Sequence, residues 1–135
     1  MATPSVTVAR RTTGTIPTHQ EDVTLLIRME YDRADPFAVT FVLRAVRWTF
    51  SRELVAEALS IIGDRVAVGR ADVRLRRDGA TLTLVLDSPS GHIEIHHIPA
   101  ADLREFLHET YAHVPLCHEL DDVTWEQLMA ELGLV

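Results

Sequence analysis

An α+β fold, an antiparallel β-meander with helices packed on it, is what this 135-residue chain predicts. Three observations carry that prediction. Period-two apolar alternation recurs through the first two-thirds of the chain. Strong turn signals, Asp78-Gly79 and Ser88-Pro89-Ser90-Gly91, separate the strand-like runs. Helical spacing of apolar residues takes over after Pro99.

The elements follow in order. Residues 1–20 are polar and threonine-rich, with Gly14 and Pro17. Val6 and Val8 suit a short edge strand, and disorder is expected of the first residues. Val23 to Tyr31 is apolar-rich and suits a strand. Asp32 and Asp35 flank a sharp corner, and Pro36 holds Asp35 in extended or turn geometry. Phe37, Val39, Phe41 and Leu43 then alternate as a half-buried strand requires. Phe37 to Phe50 reads either as one bent strand or as two strands joined near Arg44. Phe37, Phe41, Trp48 and Phe50 are expected in the core.

Ser51 is a good N-cap and Glu53 suits the first helical turn. A helix over Arg52–Ile62 places Leu54, Val55, Ala58, Leu59 and Ile62 on one stripe, with Gly63 just beyond its end. Val66 and Val68, then Val73 and Leu75, lie either side of Gly69, a predicted bulge or bend. Asp78-Gly79 predicts a type I′ hairpin. Leu82, Leu84 and Leu86 alternate on the return strand, and Ile93 and Ile95 continue the next. Pro99 opens a helix whose apolar side is Leu103, Phe106, Leu107, Thr110 and Tyr111. Asp122 caps a last helix holding Trp125, Leu128, Met129 and Leu132, ended by Gly133.

Composition narrows the function classes. Hydrophobic content of 47% and charged content of 24% are those of an ordinary soluble domain, and the length predicts one domain over 1–135. The formal net charge of −7 opposes non-specific phosphate binding. Every one of the 13 basic residues is arginine. Cys117 is the only cysteine, so no intramolecular disulfide forms and a reducing compartment is expected. Arg10 and Arg11 precede no apolar signal region, and no apolar run reaches the roughly 20 residues of a spanning helix.

Chemistry-bearing clusters have bland explanations. His92, Glu94 and His96 share one strand face and could ligate zinc, but no paired-ligand motif accompanies them. The same holds for His113, Cys117 and His118. Cys117 is expected to be a partly buried structural thiol. Asp32 and Asp35 are expected to satisfy their own turn rather than act as an acid pair. Ser88 and Ser90 sit outside any nucleophile elbow, and no glycine-rich phosphate loop occurs. No catalytic, cofactor or metal site is therefore predicted. Arg70, Arg74 and Arg76, read as alternating along one strand, form a basic stripe that a partner or a nucleic-acid backbone could use. Trp125, on the short terminal helix, is the aromatic best placed for an oligomer contact.

Taken in order, Tyr31-Asp32-Arg33-Ala34-Asp35-Pro36-Phe37, Trp48-Thr49-Phe50-Ser51-Arg52-Glu53-Leu54, Gly69-Arg70-Ala71-Asp72, Leu86-Asp87-Ser88-Pro89, Leu103-Arg104-Glu105-Phe106-Leu107, Val114-Pro115 and Glu119 resemble the SsgA-like sporulation and cell-division proteins of actinomycetes. The resemblance runs from about Val23 to the C-terminus. It departs after Val114-Pro115, where many members have a glycine and this chain has Leu116-Cys117-His118. It implies a whirly-like architecture and a non-enzymatic regulator of sporulation-specific septation. Such a protein needs no cofactor and acts by protein contacts that position FtsZ and the septal wall machinery. It further implies a homo-oligomer, such as a trimer, in the cytoplasm, recruited to the septum and reaching membrane only through partners. The alternative from another class is a single-stranded nucleic-acid-binding domain using the sheet near Arg70, Arg74 and Arg76.

Overall fold

The computed structural model describes residues 6–60, 67–70, 72–119 and 129–133, with the backbone alone for Arg70. Within them run β1 (Val8–Ile16), β2 (Val23–Tyr31), β3 (Ala38–Leu43), β4 (Val46–Ser51), α1 (Arg52–Ser60), β5 (Ala67–Arg70), β6 (Val73–Asp78), β7 (Thr81–Ser88), β8 (Gly91–Pro99) and α2 (Ala100–His113). The strands make one antiparallel sheet in the order β4-β3-β2-β1-β8-β7-β6-β5. It consists of two four-stranded meanders, each running directly into a helix. They meet at β1 and β8, whose ladder pairs Thr15 with His96. Helix α1 touches β4 and also β5 and β6, the two ends of the strand order, so the sheet curls around it. The predicted α+β fold with antiparallel sheet is the one observed.

Strand β1 corrects the edge-strand expectation. It lies in the interior of the sheet and pairs along its whole length with β2, from Val8 opposite Tyr31 to Ile16 opposite Val23. Its inward polar residues Arg10 and Thr12 are engaged by helix α2. The Thr12 hydroxyl donates to Asp102 Oδ2 at 2.8 Å, and Arg10 pairs with Glu105 at 2.9 Å and with Glu109. Gly14 lets the seam close, because a Cβ there would sit 2.4 Å from Ile95 Cγ2.

Of the two readings of 37–50, two strands is correct. Arg44 and Ala45 form a tight hairpin, with Arg44 at φ 55°. Ser51 caps α1, its Oγ accepting from the Glu53 N–H at 3.1 Å. Gly69 lies within β5 rather than at a bend between strands. Arg70 therefore ends β5 opposite Val73, on a different strand from Arg74 and Arg76. The next hairpin is displaced by one residue from the prediction. Asp78 pairs with Thr81, and the loop is Gly79-Ala80 with only Gly79 at positive φ, the type II′ pattern rather than type I′. Pro99 is the residue before α2 rather than its first.

The core is the inner sheet face closed by the two helices. Ile27, Met29, Phe41, Leu75, Leu84, Ile95, Leu103 and Phe106 are fully buried. Phe41 packs edge-to-face on Phe50 at 4.9 Å and on Phe106 at 6.5 Å. Two core expectations change. Trp48 and Phe50 are only partly buried, because β4 is an edge strand, and Phe37 is 52% exposed. Ile62, Gly63, Val66, Asp122, Trp125 and Leu128 lie outside the described residues; of the expected last helix, residues 129–131 are helical and Gly133 closes the turn at φ 71°.

Candidate protein-interaction surface over a buried arginine

The corner after β2 is built by its own side chains. Asp32 Oδ1 accepts from the Ala34 N–H at 2.9 Å, and the Asp32 carbonyl accepts from the Asp35 N–H at 2.9 Å. Both bonds close the turn, the role expected of Asp32. The Asp35 carbonyl accepts from the Ala38 N–H at 3.3 Å, while the Asp35 carboxylate is exposed. The Tyr31 hydroxyl donates to the Pro36 carbonyl at 3.0 Å, and the Arg52 N–H donates to the Phe37 carbonyl at 2.7 Å. With backbone pinned on both sides, the Phe37 ring is driven outward. Leu54, one turn into α1, is buried in the core below.

Beneath the corner lies Arg52, 2% exposed. Its Nη1 donates to the Val114 carbonyl at 2.7 Å and its Nη2 to Glu119 Oε1 at 3.0 Å. Its guanidinium stands 4.4 Å from the Tyr111 ring centre and 5.3 Å from that of Tyr31. A buried cation is tolerated only when charge and donors are both answered, and here a carboxylate, a carbonyl and two ring faces answer them. Burial pushes the Tyr31 and Tyr111 phenols above their ordinary range, with Arg52 opposing the shift. Arg52 thereby ties β2, α1, α2 and the Val114–Glu119 loop together.

Above this hub opens a shallow cavity of about 260 Å³, lined among others by Phe37, Tyr111, Leu116 and Cys117. Leu116 is 63% exposed. Cys117, expected to be partly buried, is exposed and sits at φ 70° in the turn that presents Leu116. Two exposed apolar side chains on a rigid floor form the kind of patch that marks a protein contact.

The predicted basic stripe is arranged differently. Arg74 and Arg76 share the outer face of β6, but carboxylates engage both. Arg74 Nη2 lies 2.8 Å from Asp87, and Arg76 lies 3.4 Å from Asp78 and 3.9 Å from Glu94. His92 joins the same network, contacting Asp87 through Nδ1 and Glu94 through Nε2 at 3.1 Å. Bonding to Asp87, then to Glu94, holds its imidazolium pKa above the usual value, and His92 in turn lowers those of both carboxylates. His92, Glu94 and His96 do share a face. Among the described residues no group of three or more His, Cys, Asp or Glu is placed to hold a metal. Nor is any described helix long and apolar enough to cross a membrane.

Periodicity did not expose the hub. Arg52 and Glu119 are far apart in sequence, and only Tyr111, on the apolar side of α2, carried a local signal. Arg52, Glu119, Tyr31, Asp32, Pro36 and Phe37 do all occur in the motif set of the family resemblance, so recurrence across a family is the signal that could have found them.

Comparison with known proteins agrees. The family described as Streptomyces sporulation and cell division protein, SsgA, matches residues 25–119. A sporulation-specific cell division protein of Frankia casuarinae is 35% identical over 105 residues, covering 72% of this chain and 68% of that protein. SsgB of Thermobifida fusca is 33% identical over 118 residues, covering 81% of each. The solved SsgB structure, from work in which its mutations correlate to longitudinal cell division during sporulation of Streptomyces coelicolor, superimposes with a TM-score of 0.73. The identity is 28%, over 90% of this chain and 98% of that one. The crystal structure of an SsgA-like sporulation-specific cell division protein from Thermobifida fusca gives 0.71 at 29% identity, over 98% and 99%.

Proposed function

The chain belongs to the SsgA family of sporulation and cell-division proteins, and from that premise we propose that it regulates sporulation-specific septation without catalysis, by docking division proteins. The finer reading is that it helps to position FtsZ and the septal wall machinery, as a homo-oligomer recruited to the septum through its partners. The observation that carries the docking role is the pairing of exposed Phe37 and Leu116 over the immobile Arg52 hub. A rigid floor lowers the entropy that a contact must overcome.

The test is mass by light scattering of the purified protein, alone and with FtsZ from a related actinomycete, for the native chain and for Phe37→Asp. A defined oligomer that grows with FtsZ, and stops growing in Phe37→Asp, supports the proposal. An oligomer indifferent to FtsZ removes the direct contact, and growth that survives Phe37→Asp removes this surface. The single-strand-binding alternative loses support from the geometry, because Arg74 and Arg76 are each already paired with carboxylates.

A further inference from the structure

Strand register assembles a charged face that no segment of the sequence displays. Arg11 lies opposite Arg28, Arg28 opposite Val42, and Val42 opposite Arg47. Residues directly opposite in antiparallel strands share a face, so three arginines stand in one row across β1, β2 and β4. Arg44, in the hairpin between β3 and β4, borders the same depression, which has a volume of about 480 Å³. Glu30 is the acid that joins two of them. It holds Arg28 Nε at 2.8 Å and Arg47 Nη2 at 2.7 Å, bracing both guanidinium groups. Arg11 and Arg44 make no ion pair among the described residues. Arg11, Arg28 and Arg44 line the depression with no carboxylate among its lining residues, in a chain whose formal net charge is −7, whereas Arg47 borders a neighbouring cavity with Glu30, Asp32 and Asp35.

The face also carries apolar side chains. Leu26, 56% exposed, and half-buried Val42 both line the depression. No aromatic ring lies between Arg11 and Arg47. Trp48 pairs with fully buried Phe41 and so belongs to the other face of the sheet. From β1 to β4 the row spans three inter-strand steps, roughly 14 Å, the reach of about four residues of extended chain.

We propose that the outer face of β1–β4 docks an acidic, leucine-bearing extended segment of a partner protein. Its carboxylates meet Arg11, Arg28 and Arg44, and its apolar side chains meet Leu26 and Val42. Charge complementarity selects the acid. The apolar residues, and the lack of any ring on which a base could stack, select peptide over nucleic acid. This surface is separate from the Phe37–Leu116 patch, so the same molecule can hold two partners at once.

The experiment measures fluorescence anisotropy of a labelled short peptide alternating Glu and Leu, and of labelled single-stranded DNA, on the full chain at low and moderate salt. Arg11→Glu and Arg44→Glu, on exposed side chains, are expected to weaken peptide binding about threefold each and about tenfold together. Arg104→Glu, an equal charge change on an exposed position of α2, and Phe37→Asp are expected to leave it unchanged. Peptide that fails to bind at low salt overturns the proposal, as does Arg104→Glu weakening binding as much as Arg11→Glu. Single-stranded DNA that binds more tightly than the peptide, through the same arginines, overturns it in favour of nucleic acid.

Discussion

The two halves of the sheet share a plan, four antiparallel strands running into a helix, yet they treat arginine in opposite ways. On the outer face of β5–β8, Arg74 and Arg76 are matched by Asp78, Asp87 and Glu94, and His92 closes the network. On the outer face of β1–β4, Glu30 pairs with Arg28 and Arg47, and Arg11 and Arg44 make no ion pair among the described residues. Inside, Arg52 is fully enclosed and fully answered. The same side chain is thus a structural bolt, a neutralised surface group or an open contact. Its neighbours across strands decide which, not its place in the sequence.

The sharpest way to break that comparison is to remove one arginine of each kind. Arg52→Leu strands the Glu119 carboxylate and the Val114 carbonyl, and is expected to cost about 3–5 kcal/mol. Arg74→Leu, at an exposed pair, is expected to cost about 0–1 kcal/mol. Urea melts decide it, and equal losses would mean that Arg52 does not hold the fold. Next in size is the seam between the halves. Gly14→Val drives a side chain into Ile95 and Ile98 and is expected to cost about 1–3 kcal/mol by thermal melting, whereas Gly91→Ala, with nothing within 4 Å, is expected to cost far less.

Phe37→Ala should then leave stability within about 0.5 kcal/mol of native while weakening partner binding, as suits an exposed ring on a pinned backbone. A large loss of stability would return Phe37 to the core.

The smallest effect belongs to His92. Its pKa is raised above 6.5, so its contribution to stability is complete below the unfolded value and is lost as pH rises through the folded one. Asp87 and Glu94 are lowered, so theirs is present above the ordinary carboxylate range and lost as pH falls through their folded values. The network is strongest between those limits. Titration of the His92 imidazole by NMR should give a midpoint above 6.5 that drops in Asp87→Asn; an unchanged midpoint would dissolve the network.

Much of this was legible in the chain. Alternating apolar residues over 23–31 and 81–88, the Ser51 cap and the Pro99 boundary placed most elements, because strand and helix periods are local properties. The Asp32 turn was legible too, since its bonds reach only to the next few residues. Less accessible were Phe37, whose alternation with Val39 and Phe41 gave no sign that the corner would turn it outward, and β1, whose Arg10 and Thr12 read as surface until α2 was placed against them.

The sequence by itself determined the fold class, the strands, the helix starts and the turn at Asp32, and its motif order pointed to the family. Only the tertiary structure decided that β1 lies in the middle of the sheet, that Arg52 reaches Glu119, that Arg74 and Arg76 are neutralised and that Arg11, Arg28 and Arg47 stand in a row. The physical reason is the same each time. Periodicity orders residues two to four apart, whereas these neighbours are brought together by strand register and helix docking, which minimise buried polar groups across the whole chain.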